Sequence, residues 1–112
     1  MLRNPAIAAL LLAVAAGCAM PARAAAPAPA PVPKPAQLGL CAACHGEDGR
    51  SRAAGTPSLA AQDEAYLRKA LTDFRTGARK ASPMNAIAGT LQAKDIQALA
   101  RWYATRLPAA AP

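Results

Sequence analysis

Histidine, aromatic residues and acidic groups are all scarce in this chain of 112 residues, and each shortage removes a class of answer. With one histidine, a metal site taking four ligands from Cys and His is hard to assemble. The aromatic set is one Trp, one Phe and two Tyr. A folded part of about 70 residues is marginal for a core made of side chains alone, so something else must fill its middle. Acidic residues number 6 against 13 Lys and Arg. The basic residues are dispersed and carry no aromatic interleaving, which is not a nucleic-acid signature. A modest basic excess instead favours acidic partners or anionic surfaces. No run alternates with period two and no segment repeats, so strands and repeat architectures are not expected. The length allows one domain at most.

What is present begins with an export signal. Arg3 supplies a minimal positive start, Ala6–Ala16 an uncharged apolar run, and Ala22-Arg23-Ala24 a small-x-small cleavage pattern. Residues 1–24 read as a signal peptide cut after Ala24, which places the mature protein in the periplasm. Two other readings stay open: an uncleaved membrane anchor, and lipidation at Cys18 after Ala16-Gly17. Neither form of membrane anchoring is favoured over cleavage. Losing Arg3 and Arg23 leaves 11 basic and 6 acidic residues, a formal charge of +5. Residues 25–36 are almost wholly Ala and Pro, whose repeated rings forbid a helix. They form an extended, solvated linker.

Residues 37–108 form the folded domain. Three helices are predicted. The first runs over about 37–44. The second covers 64–76, with Asp63 as cap, Gly77 as stop, and Leu67, Leu71 and Phe74 as its apolar face. The third covers about 93–106, with a stripe of Ile96, Leu99, Ala100, Tyr103 and Leu107 ended by Pro108. The segments 46–62 and 80–91 read as loops.

Cys41-Ala42-Ala43-Cys44-His45 is a C-x-x-C-H motif. Two thiols one helical turn apart can each add to a vinyl group on the same edge of a haem, and the next residue then presents its imidazole to the iron. A thioredoxin-like use of C-x-x-C would need strands alternating with helices, and a zinc site would need a fourth ligand. The motif therefore points to one covalently attached haem c. Met84 is the only methionine beyond the signal, in the loop before the last helix. Methionine is more often a core filler. A single thioether in a loop after the single histidine nonetheless reads as the second axial ligand. His/Met ligation raises a haem's reduction potential.

Three stretches, CAACHGEDG, PSLAAQDEAYLRKALTDFRTGAR and PMNAIAGTLQAKDIQALARWYA, give the chain its resemblance to the small bacterial class I c-type cytochromes. The resemblance spans Cys41–Tyr103 and includes single-haem forms and the halves of two-haem forms. It implies an all-α, cytochrome c-like fold, with three main helices wrapped around one covalently bound haem. It implies cofactor contacts from Cys41, Cys44, His45, Pro57 and Met84, with His45 and Met84 ligating the iron. Pro57 matches the proline whose carbonyl accepts the histidine ring N–H. Gly39 matches the small residue where first and last helices cross, and Trp102 an aromatic near that crossing. Gln92 stands where the family often has a Ser or Thr cap.

The implied activity is periplasmic transfer of single electrons, without enzymatic chemistry. The implied partners are redox proteins: a respiratory donor complex and a terminal oxidase or reductase. The alternative is a dedicated cytochrome subunit tethered to a respiratory or dehydrogenase complex. A gas-binding or enzymatic haem would need an open sixth position, against which Met84 argues. Arg68, Arg75 and Arg79 share one side of the second helix or its extension. They read as a solvated face, or else as a docking surface or as partners of the haem propionates.

Overall fold

The computed structural model describes residues 16–109. The expected signal segment therefore lies largely outside the described residues. Residues 16–31 run exposed and without regular structure. Four helices follow: α1 (Leu38–His45), α2 (Glu64–Thr76), α3 (Met84–Ala88) and α4 (Ala93–Ala104). No strand occurs among the described residues, in keeping with an all-α fold.

Local chemistry sets most helix ends. The Asp63 carboxylate accepts the Tyr66 N–H at 2.8 Å and so satisfies one of the orphan donors at the start of α2. Gly77 ends that helix in the left-handed region at φ 81°, where a Cβ is disfavoured. At α4 the missing Ser or Thr cap is made good from inside the helix. Asp95 reaches back and accepts the Gln92 N–H at 2.9 Å, the reciprocal half of a capping box.

The core is a cluster around α4. Leu38 and Cys41 of α1, Leu67 of α2, Leu91, and Ile96, Leu99, Ala100, Trp102 and Tyr103 of α4 are all buried together. α2 packs on both α3 and α4. Gly49 allows the loop after α1 to come close. It sits at φ 76°, and a Cβ there would lie 2.7 Å from the Ala60 nitrogen and 2.8 Å from the Tyr103 ring.

Five expectations change. The segment 80–91 is not all loop. Residues 84–88 form α3, which is too short to show a period and is fixed instead by Pro83, whose carbonyl accepts from Ala86 and Ile87 at 3.1 and 3.2 Å. Leu107 does not belong to the α4 stripe; it is 74% exposed. The helix ends at Ala104, where the Thr105 hydroxyl lies within hydrogen-bond reach of the Arg101 and Trp102 carbonyls, at 3.1 and 2.9 Å. Gly39 is not a crossing point: it is exposed and a Cβ there would meet nothing. Leu38 and Cys41 take the inward side of α1 instead. The end of the linker is not free. Val32 packs on the core cluster, Pro35 is buried, and both line a groove with Lys94, Gln97, Ala98 and Arg101 of α4. Lastly, the three arginines are not all solvated: Arg68 and Arg79 are exposed, but Arg75 is half-buried.

Candidate functional site

Cys41 and Cys44 lie one turn apart on α1, and neither is in a disulfide. Cys44 is exposed and Cys41 is buried. Burial pushes the Cys41 thiol up to about 11. His45 is the last residue of α1 and is only 7% exposed. Its Nδ1 lies 2.7 Å from the Pro57 carbonyl oxygen. A carbonyl can only accept, so this contact places the ring proton on Nδ1 and leaves the Nε2 lone pair free for a metal. Such a bond also orients the ring and raises its basicity.

Met84 opens α3 and is half-buried. The amide of the next residue, Asn85, holds this segment in place. Its Nδ2 donates to the carbonyls of Phe74 (2.8 Å) and Arg79 (2.7 Å), and its Oδ1 accepts from the Ala81 N–H (2.9 Å). Asn85 escaped the sequence reading. The available signal was an amide directly after the only methionine beyond the signal segment.

Cys41, Cys44, His45, Pro57 and Met84 all line one cavity of about 370 Å³. Its walls are apolar, built by Leu59, Leu67, Leu71, Phe74, Ile87 and Leu99 among others. The volume falls in the range of about 300–1,000 Å³ usual for cofactor clefts. The arrangement fits an iron porphyrin: free thiols a turn apart for the vinyl edge, an imidazole and a thioether for the iron, and apolar walls for the ring.

Arg79 also lines this cavity. Its guanidinium sits 4.7 Å from the Phe74 ring centroid and donates to the Tyr66 hydroxyl at 3.4 Å. Arg75 is turned elsewhere and donates to the Leu91 carbonyl at 3.4 Å, while Arg68 is simply exposed. Arg75 is thus half-buried, whereas Arg68 and Arg79 stay exposed.

A family model described as cytochrome C oxidase, cbb3-type, subunit III matches residues 37–102, more than half of the chain. The chain belongs to the class I c-type cytochromes. Among its relatives, cytochrome c-554(548) of Halomonas halodenitrificans is 36% identical over 73 residues, covering 62% of this chain and 88% of that one. A thiosulfate dehydrogenase electron acceptor of Stutzerimonas stutzeri is 48% identical over 61 residues, covering 54% of this chain and 28% of that protein. The crystal structure of reduced recombinant cytochrome c4 from Pseudomonas stutzeri matches with a TM-score of 0.56 and 38% identity, covering 60% of this chain and 38% of that one. The chain thus spans roughly a third of the length of several relatives. These cytochromes carry covalent haem c, which agrees with the donor set of the cavity. Among the described residues, no helix is long and apolar enough to cross a membrane.

Proposed function

We propose that this cytochrome domain carries single electrons between redox proteins of the periplasm. The observation that supports it best is the convergence of Cys41, Cys44, His45 and Met84 on one apolar cavity, with the His45 Nδ1 committed to Pro57. In this reading Cys41 and Cys44 carry the thioethers, and His45 and Met84 are the axial ligands. A haem so held supplies a one-electron couple of raised potential, because a thioether favours ferrous iron.

The chain's own residues do the rest. Pro57 keeps the imidazole in one tautomer and one orientation. Asn85 keeps the methionine segment docked on the end of α2. The apolar walls exclude water, so little has to rearrange when the charge in the cavity changes. With both axial positions filled by side chains, no substrate bond is made or broken. Residues 1–24 serve as the export signal, 25–36 as a linker and 37–108 as the electron-carrying domain. The partners are a respiratory donor complex and a terminal oxidase or reductase.

A second reading, a dedicated subunit tethered to a larger complex, is favoured by the description of the matching family model and by the electron-acceptor relative. Co-purification with a large enzyme separates it from a free shuttle.

The test is a visible spectrum of protein made in cells able to mature c-type cytochromes, with intact mass on the same sample. The expected result is covalent low-spin haem with the weak red sulfur-to-iron band in the ferric form, and a mass of residues 25–112 plus one haem. Folded but colourless protein would overturn the proposal.

A further inference from the structure

The loop that joins His45 to Pro57 is held at both ends by α4. Two consecutive residues of α4 reach two consecutive carbonyls directly after the histidine. The Tyr103 hydroxyl donates to the Gly46 carbonyl at 3.0 Å, and the Trp102 Nε1–H donates to the Glu47 carbonyl at 2.8 Å. Both rings are buried, Tyr103 to 2% exposure and Trp102 to 9%. The far end of the loop is bound to the same turn of α4, where the Ala61 N–H donates to the Tyr103 carbonyl at 3.0 Å. Ala61 takes the left-handed region at φ 60°, a conformation that a residue with a Cβ holds only when its surroundings enforce it. Between these anchors the loop closes on itself. The Gly49 carbonyl accepts from both Leu59 and Ala60, at 2.8 and 3.1 Å, and forms the neck of an Ω-loop. Pro57 sits inside that neck, with its carbonyl on His45.

We infer that Trp102 and Tyr103 are positioning residues that clamp both ends of the 46–61 loop and thereby fix the hydrogen bond between His45 and Pro57. The inference rests on the reading of His45 as an axial ligand. Neither ring needs to touch the haem iron for this role. Each acts through a carbonyl whose placement sets where the imidazole and its acceptor meet. Packing alone would ask for two large apolar side chains at these positions. The N–H and O–H donors, each spent on a loop carbonyl, are what packing does not explain. The Lys34–Glu47 ion pair, at 3.0 Å, lies over the same loop but is exposed on both sides and contributes little.

The test compares Trp102→Phe and Tyr103→Phe, which keep an aromatic ring and lose one donor each, with Asp63→Ala. The last removes the α2 cap and so lowers stability without touching the loop. The readout is solvent exchange of the His45 ring N–H in the reduced holoprotein, followed by NMR, with the midpoint potential measured beside it. Both aromatic variants should exchange roughly five to ten times faster than wild type, as expected from losing one ordinary hydrogen bond. Their potentials should rise, because a slackened Pro57 bond makes the imidazole a poorer donor to ferric iron. Asp63→Ala should match wild type in both. A low-spin wild type whose ring N–H is indifferent to both aromatic substitutions overturns the clamp alone, as does equal acceleration in Asp63→Ala. A wild type without low-spin haem overturns the clamp together with the reading beneath it.

Discussion

Replacing Asn85 by alanine should loosen the methionine segment without changing either proposed ligand. The side-chain amide makes three hydrogen bonds: to the Phe74 and Arg79 carbonyls and from the Ala81 N–H, at 2.8, 2.7 and 2.9 Å. An intramolecular hydrogen bond contributes about 1 kcal/mol net, and less where water can replace it. Phe74 is buried, whereas Arg79 and Ala81 are exposed, so the three together are worth about 2 kcal/mol rather than the full sum. That is a shift of roughly thirtyfold toward the undocked segment. α3 has only five residues and cannot hold itself together once detached. The assay is the red sulfur-to-iron band of the ferric protein, followed against temperature, with carbon monoxide association to the ferrous protein alongside. In Asn85→Ala the band should bleach at markedly lower temperature, and carbon monoxide should bind roughly thirtyfold faster, in step with the open population. Bleaching and association indistinguishable from wild type would refute the argument that this amide secures Met84.

Two further outcomes follow from the core. Leu99 is fully buried at 0% exposure and lines the cavity, so Leu99→Ala should cost about 2–5 kcal/mol in denaturant unfolding, and a loss under about 1 kcal/mol would contradict its placement. The Tyr103 phenol is raised above its ordinary 10.0, by burial first and then by the nearby carboxylates of Glu47 and Asp48. The folded state therefore keeps the proton longer than the unfolded chain does. Its contribution is complete below pH 10 and is lost as the pH climbs from there toward the folded value. Thermal unfolding scanned upward from pH 9 should show stability falling once pH 10 is passed, and Tyr103→Phe should flatten that limb; an equally steep limb in the variant would reject the assignment.

How much was legible from the chain depends on how local the cause was. α2 could be read because Asp63 and Gly77 mark its ends chemically and Leu67 and Phe74 mark its buried face. The Cys41–Cys44–His45 spacing carried its meaning within a single helical turn. α3 was invisible: five residues span little more than one turn and cannot repeat a pattern, and the amide that anchors it reaches across to Phe74 and Arg79. Periodicity also reports which residues are inside, but not where a polar tip points. Tyr103 read correctly as buried, yet its hydroxyl bond to Gly46, 57 positions earlier in the chain, leaves no trace in the local pattern. Gly39 failed for a related reason. A small residue fits a helix crossing only where another helix comes near, and none does there.

The docking of Val32 and Pro35 on α4 has a mechanical consequence. They share a groove with Lys94, Gln97, Ala98 and Arg101, whereas Leu99, Ala100 and Tyr103 of the same helix face the cavity. At 100° per residue these two sets stand on opposite sides of one cylinder. The N-terminal segment therefore grips the domain from behind, and traction along it is borne first by the outer side of α4. An anchorage beyond that segment would hold the domain by the side of α4 that lies opposite the cavity wall.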